Sequence, residues 1–379
     1  MKTALRIVLS TAIGLLLAEG LLRVQQKLGP GCDLEFADLA HSNVSEILNH
    51  KPPPLLHWTL HDERIYCEQA GLSYDIRRDS LGLRINSLRP RPDTSSFTTL
   101  FMGDSFVEGY DDPHTLVQVV HERLLAGNVI DGNARTCNAG HSSYAPSILT
   151  AQARLLIPEV HPDMVVVVID QSDLGDDVLR YEHLVVRDDR GRIVAVRPSP
   201  TSLAQVRGLE AARDEPLYLG RLLRKLYHTR IYMPIFCEGY HSLFPGDVYV
   251  FARDRDADTD THARELAIFG RNLADLADTL LELTGSPERI LFVSHPHLQN
   301  LSPEPEGFLW RDLVAPAVAA AAIPRGIAVY DATADLRERF GGDPASFYWS
   351  GDIHFNFEGF RIYGELIADR LGPRIEALR

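Results

Sequence analysis

Four short polar blocks in this 379-residue chain hold side chains that could do chemistry together. Gly103, Asp104 and Ser105 follow an apolar run in TTLFMGDSFVEGY (98–110). Gly140 sits in CNAGHSSY (137–144), Ser172 and Asp173 in IDQSDLGDD (169–177), and Asp352 and His354 in YWSGDIHFNFEGF (348–360). A serine hydroxyl becomes a nucleophile when a base takes its proton, and the base works best when an acid orients it. Ser105, His354 and Asp352 supply those three residue types. The serine and the histidine lie far apart in the chain, so only folding can join them, as is normal for such sets.

Each block also has a structural reading. Serine is a favoured N-cap, so a strand ending in Gly-Asp-Ser could need Ser105 only to start the next helix. The same position sets the serine beside free backbone amides able to stabilise an oxyanion. Gly140 reads either as an ordinary turn or as one whose missing side chain lets an amide approach a ligand. Ser172 and Asp173 follow an apolar strand and read as site residues or as the start of a helix. A lone histidine is more often structural, but His354 stands beside an acid in a loop before a terminal helix, where a base is plausible. His295 and His297 suggest a metal pair, yet no third ligand has a persuasive spacing, so they read as the polar end of a strand. No cofactor and no metal are expected.

The elements that would position these residues alternate along the chain. Apolar runs at 98–103, 163–170, 288–296 and 326–332 read as strands. The run at 163–170 is apolar on both faces, as a central parallel strand should be. Helical periodicity appears at 114–125, 269–283 and 360–371. Strands separated by helices imply an α/β three-layer sandwich with a central parallel sheet. Ligands of such sheets sit at the carboxyl ends of the strands, where Ser105 would lie. The stretch 181–260 breaks the rhythm with a hairpin pattern at 183–197, turning at Asp189 to Gly191, and a helical pattern at 218–233. It reads as an insertion above the sheet, a lid or substrate wall.

GDSFVEG (103–109), the glycine of NAG (138–140), the polar block after the next strand and DIHFNFEG (352–359) stand in the order of the SGNH (GDSL-type) hydrolases, which this chain resembles from about Arg77 to its end. SLGLR (80–84) and LLLAEGLLR (15–23) are similar to the membrane-anchored bacterial branch of that family. The resemblance implies the SGNH, flavodoxin-like fold. It also implies Ser105 as nucleophile, His354 as base, Asp352 as orienting acid, and an oxyanion hole formed by the amides of Ser105 and Gly140. Two positions depart from the family pattern. Ser172 stands where an asparagine usually donates to the oxyanion, and loss of one such donor costs roughly 100- to 1,000-fold in rate. The family's acid is three residues before the histidine, a place held here by Gly351.

The bulk composition narrows the partners. Apolar residues at 45% and charged residues at 24% describe a chain that can bury a core. A formal net charge of −14, with no basic stripe evident, argues against a nucleic-acid partner. Cys32, Cys67, Cys137 and Cys237 show no zinc spacing; a Cys32–Cys67 bridge and unpaired thiols are both open. Lys2 and Arg6 precede the apolar stretch Ile7 to Leu22, interrupted by Ser10, Thr11 and Glu19. It reads as an uncleaved export anchor with a cytoplasmic N-terminus, or as a buried amphipathic helix. The expected organisation is therefore an anchor at 1–23, a proline-bearing stalk and lead-in at 24–95, and an SGNH-like domain at 96–379. The expected activity is hydrolysis or transfer of a small acyl ester, such as an acetyl group on a carbohydrate, with a non-catalytic binding protein of the same fold as the alternative.

Overall fold

The computed structural model describes residues 2–28, 63–67, 72–76, 78–79, 81–84, 96–197, 204, 207–208, 211–212, 214–236, 238, 259–301, 311–350 and 352–379. Cys32, Cys237, Gly351 and the prolines at 52–54 lie outside the described residues. The first helix, α1 (Lys2–Leu28), is followed by an antiparallel hairpin of β1 (Glu63–Cys67) and β2 (Leu72–Ile76).

Five parallel strands build the central sheet: β3 (Thr98–Met102), β4 (Arg135–Asn138), β5 (Met164–Asp170), β8 (Ile290–His295) and β9 (Ala328–Asp331), in the order β4-β3-β5-β8-β9. Side chains alternate across the sheet, and the alternation sorts two cores. Leu100, Met102, Val165, Val167, Ile169, Ile290 and Phe292 face one layer, while Phe101, Met164, Val166, Val168, Leu291 and Val293 face the other. β5 is buried at every residue, which is why its sequence is apolar without a break from Met164 to Ile169, before Asp170 ends the strand.

Helices α3 (Leu116–Ala126) and α10 (Phe357–Leu378), with the shorter α7 (Leu298–Leu301) and α9 (Thr333–Phe340), cover the second face. The first is covered by α4 (Pro146–Val160), α6 (Thr259–Thr284) and α8 (Arg311–Ala322). The three-layer α/β sandwich expected from the sequence is thus the architecture observed. Because β4 and β5 flank β3 on opposite sides, the chain reverses direction across the sheet between β3 and β5. A crevice opens at the carboxyl ends of strands at such a reversal, and the short helix α2 (Ser105–Glu108) starts there.

The inserted hairpin is present as β6 (Val185–Arg187) and β7 (Ile193–Val196). It docks on the helical layer rather than over the strand ends: Arg154 Nε donates to Ile193 O at 3.0 Å, and Arg192 Nε to Asp275 Oδ1 at 2.6 Å. The hairpin therefore does not form the lid expected of the insertion. Helix α5 (Tyr218–Tyr227) carries the expected helical pattern and contacts α1. The window Val8–Gln25 of α1 is 0% buried, so α1 is not the buried amphipathic helix of the alternative reading.

The N-cap residue of α4, Ala145, offers no side-chain cap. Asp177 acts in its place, accepting from Ser147 N at 2.8 Å through Oδ1 and from Asn272 Nδ2 at 2.8 Å through Oδ2. Burial pushes the Asp177 carboxyl up to about 6. The folded chain thus keeps a proton that the unfolded chain releases near 3.8. That contribution to stability is fully present below the unfolded value and is lost as pH rises through about 6. Urea unfolding of wild type and Asp177→Asn should show their stability difference moving against wild type by about 2 kcal/mol from about pH 4 to about pH 7. A difference that stays flat would place the titration elsewhere.

Candidate active site

β3 ends at Met102, and the turn after it admits no side chain at Gly103, where a Cβ would stand 2.5 Å from Val107 Cγ2 and 2.9 Å from Val168 O. Asp104 then caps α2, its Oδ1 accepting from Phe106 N at 2.9 Å. The cap is the aspartate and not the serine, so Ser105 occupies the first helical position with its hydroxyl released from capping duty.

That hydroxyl lies 2.7 Å from His354 Nε2, and His354 Nδ1 lies 2.6 Å from Asp352 Oδ1. A loop closed on itself holds the pair. Trp349 N donates to His354 O and Asp352 N to Trp349 O, both at 3.1 Å, while Tyr348 bridges Phe355. Asn356 then caps α10 by accepting from Gly359 N at 3.0 Å. Because the loop folds back so tightly, an acid two residues before the histidine reaches Nδ1, and it also accepts the His354 backbone N–H at 3.1 Å. The hydrogen bond from His354 holds the Asp352 carboxyl below its ordinary value, against the opposing effect of burial. An anionic Asp352 fixes the Nδ1–H tautomer and leaves Nε2 to accept from Ser105. Phe106 packs beneath the imidazole at 5.0 Å between ring centroids, and Tyr110 meets it edge-on at 6.2 Å.

The oxyanion donors are arranged differently from the expectation. The Gly140 amide donates to Asn138 Oδ1 at 2.9 Å, and Asn138 Nδ2 in turn donates to Val107 O at 2.9 Å. The Ser172 amide and hydroxyl both donate to Asp170 Oδ1. Two of the three expected donors are therefore engaged by side chains at the ends of β4 and β5. The Ser105 amide, at the start of α2, has no acceptor within its helix.

Several residues around the site escaped the sequence reading. Arg78 pairs with the buried Glu108 and donates to Gly140 O at 3.3 Å, and Arg84 donates to Glu108 O at 2.6 Å and Gly109 O at 3.1 Å. These arginines clamp the turn after Ser105 to the Gly140 loop. SLGLR was the available signal, but its arginine carries no sign of a partner in sequence.

Beneath the serine, carboxylate oxygens of Asp104, Asp170 and Asp173 lie within 4.8 Å of one another. Burial, then repulsion by Asp170, raises the Asp104 carboxyl; burial, then repulsion by Asp104, raises that of Asp173. Burial also acts to raise Asp170, but the imidazole of His297, hydrogen-bonded to it, outweighs burial and holds it well below the usual carboxylate range. Within the cluster Asp173 Oδ2 also accepts from Asp170 N at 3.0 Å. His297 is thus engaged by Asp170 at the end of β5. His295 packs on Phe106 at 3.9 Å, and burial lowers its imidazole to about 3.

No protein-family model and no curated protein matches the chain. Among solved structures it is similar to the lipase/acylhydrolase from Enterococcus faecalis, with a TM-score of 0.41 and 15% identity over 73% of this chain and 96% of that one. It is also similar to LAE5, an alpha/beta hydrolase enzyme from the metagenome of Lake Arreo, Spain, with a TM-score of 0.42 and 14% identity over 76% and 98%. Axe2, an acetylxylan esterase from Geobacillus stearothermophilus, matches with a TM-score of 0.41 and 15% identity over 74% of this chain and 94% of its own.

Proposed function

We propose that the chain is a serine esterase of the SGNH type, anchored in a membrane by α1 and acting on a small acyl ester such as an acetylated carbohydrate. The observation that carries this reading is the unbroken run of contacts from Ser105 Oγ through the His354 ring to Asp352, set where the sheet reverses. In the reaction, His354 Nε2 takes the Ser105 proton as Oγ attacks the acyl carbon. The tetrahedral oxyanion collapses, His354 gives the proton to the departing alcohol, and the acyl group stays on Ser105. Water, or a second sugar hydroxyl, then repeats the sequence and releases the acyl group. Tyr110, Trp349 and Phe357 stand edge to face with one another beside His354 and offer ring faces that suit a carbohydrate leaving group.

In this mechanism the Ser105 amide is the first oxyanion donor. Gly140 N–H and Ser172 Oγ–H join it only by leaving Asn138 and Asp170, so turnover of small activated esters is slow. The 18 residues Val8–Gln25 give α1 an apolar length of about 27 Å, close to the ~30 Å hydrocarbon core. Lys2 and Arg6 at its start favour a cytoplasmic N-terminus and an extracytoplasmic catalytic domain.

The same engaged donors favour a second reading, a binding protein that keeps the fold without turnover. Acetate release from p-nitrophenyl acetate and from an acetylated oligosaccharide, measured on the detergent-purified full chain, separates the two. The esterase reading expects release from both, and an added sugar acceptor that becomes acetylated identifies transfer. Release no faster than from heat-denatured protein on either ester rejects it in favour of binding.

A further inference from the structure

Helix α5 does not end at Tyr227; it continues through a π-turn at His228–Tyr232 to Phe236. One side faces the protein, where the His228 ring lies against Gly208 and is 7% exposed. The other side presents Leu223, Leu226, Tyr227, Ile231 and Ile235 to solvent, with Ile235 68% exposed. In a chain of net charge −14, the 19-residue stretch 218–236 contains Arg221, Arg224, Lys225 and Arg230 and no acidic residue. Arg224 pairs at 2.5 Å with Glu215, which precedes the helix; a helix with an aliphatic face, cations beside it and no acids of its own matches the composition of one lying in a membrane interface.

Its attachment fixes where such a helix would lie. Glu19 of α1 accepts from the amides of Tyr218 at 3.1 Å and Leu219 at 2.8 Å, closing the otherwise open N-terminus of α5. Arg23 pairs with the same carboxylate at 2.8 Å and lies over the Tyr218 ring at 4.9 Å. A carboxylate inside an apolar span is costly unless a positive group neutralises it. Here a guanidinium and the positive end of a helix do so together. Within the apolar window Glu19 stands six residues, about 9 Å, before the C-terminal end and Arg23 two residues, about 3 Å, before it, both in the half of the span nearer the α/β domain.

We infer that the helix from Tyr218 to Phe236 lies in the headgroup layer of the bilayer that α1 crosses, its aliphatic face among the acyl chains and its cations toward anionic lipid. This rests on the reading of α1 as a membrane span and is independent of the chemistry at Ser105. Nucleic acid fits the surface less well, because exposed Leu223, Ile231 and Ile235 offer nothing to phosphates. The placement holds the domain close to the membrane and gives Glu19 a structural purpose.

The test uses the full chain, reconstituted in vesicles of phosphatidylcholine with or without phosphatidylglycerol, carrying p-benzoylphenylalanine at Leu223, at Ile231 or, as a control, at exposed Arg190 of the β6–β7 turn. After irradiation, lipid adducts should form at Leu223 and Ile231 several-fold more than at Arg190, and several-fold more with phosphatidylglycerol than without. Glu19→Ala, checked for fold by circular dichroism, should lower the Leu223 yield several-fold. Adducts to a second copy or to another segment of the chain, or no lipid adducts, overturn the proposal; equal yields in the two vesicle types remove its electrostatic half. Alkaline extraction of the same vesicles reads the span separately. A chain retained without lipid adducts condemns the interfacial helix alone, and a chain that is extracted condemns the span and the helix together.

Discussion

Ser105→Ala should leave a folded chain whose turnover of p-nitrophenyl acetate has fallen by as much as roughly a million-fold, and His354→Ala should fall as far. Ser105 is partly exposed and Asp104 does the capping, so the lost hydroxyl takes with it only the bond to His354 and a long one, 3.5 Å, to Asp104 Oδ2. The two residues act as one unit, because neither moves a proton without the other. The double variant should therefore be about as slow as either single one. Asp352→Asn should be milder, at roughly ten-thousand-fold, since it disturbs the tautomer and leaves the nucleophile and base in place. Wild-type rates in Ser105→Ala, or additive losses in the double variant, would remove the relay from the mechanism. Circular dichroism and thermal unfolding confirm that each variant is folded.

Gly140→Ala should be the most damaging single methyl near the site. A Cβ there would lie 2.2 Å from Glu108 N and 2.5 Å from Val107 C, and these are backbone atoms that no rotamer change can move aside. The turn after Ser105 is also clamped by Arg78 and Arg84, so it has little room to retreat. Overpacking of this kind costs about 1–3 kcal/mol and sometimes more. The expected result is a Tm lowered by several degrees, together with loss of ester turnover as the α2 turn shifts Ser105 away from His354. A variant with unchanged Tm and unchanged rate would mean that the two segments are not packed as described.

The framework was legible because its strands are apolar runs and its covering helices have one apolar face. β5 and β8 are of that kind, as are α3, α6 and α10. The edge strand β4 was missed: it is four residues of mixed character, RTCN, held by its pairing with β3 rather than by hydrophobicity. Helix α4 was missed because it is buried on nearly every side and shows no amphipathic stripe. At the site, Ser105, Asp352 and His354 were legible from residue type and block order, and the fold brings them within hydrogen-bond distance. What the sequence concealed was who holds whom. Nothing in NAG says that the asparagine side chain takes the Gly140 amide, and nothing in DQSD says that Asp170 takes Ser172. Such bonds depend on turn geometry, and the same residue types would allow the donors to face a ligand. The two-residue spacing of Asp352 and His354 likewise became intelligible only with the closed loop from Trp349 to Phe355.

The most direct measurement is the position of a covalent adduct. The full chain should be treated with a fluorophosphonate, whose phosphorus a nucleophilic serine attacks with loss of fluoride, and then digested and sequenced by mass spectrometry. The relay predicts one dominant adduct on Ser105, absent from His354→Ala under the same exposure. No adduct on the folded wild-type chain, an adduct on another residue, or equal labelling of Ser105 without His354 would contradict it.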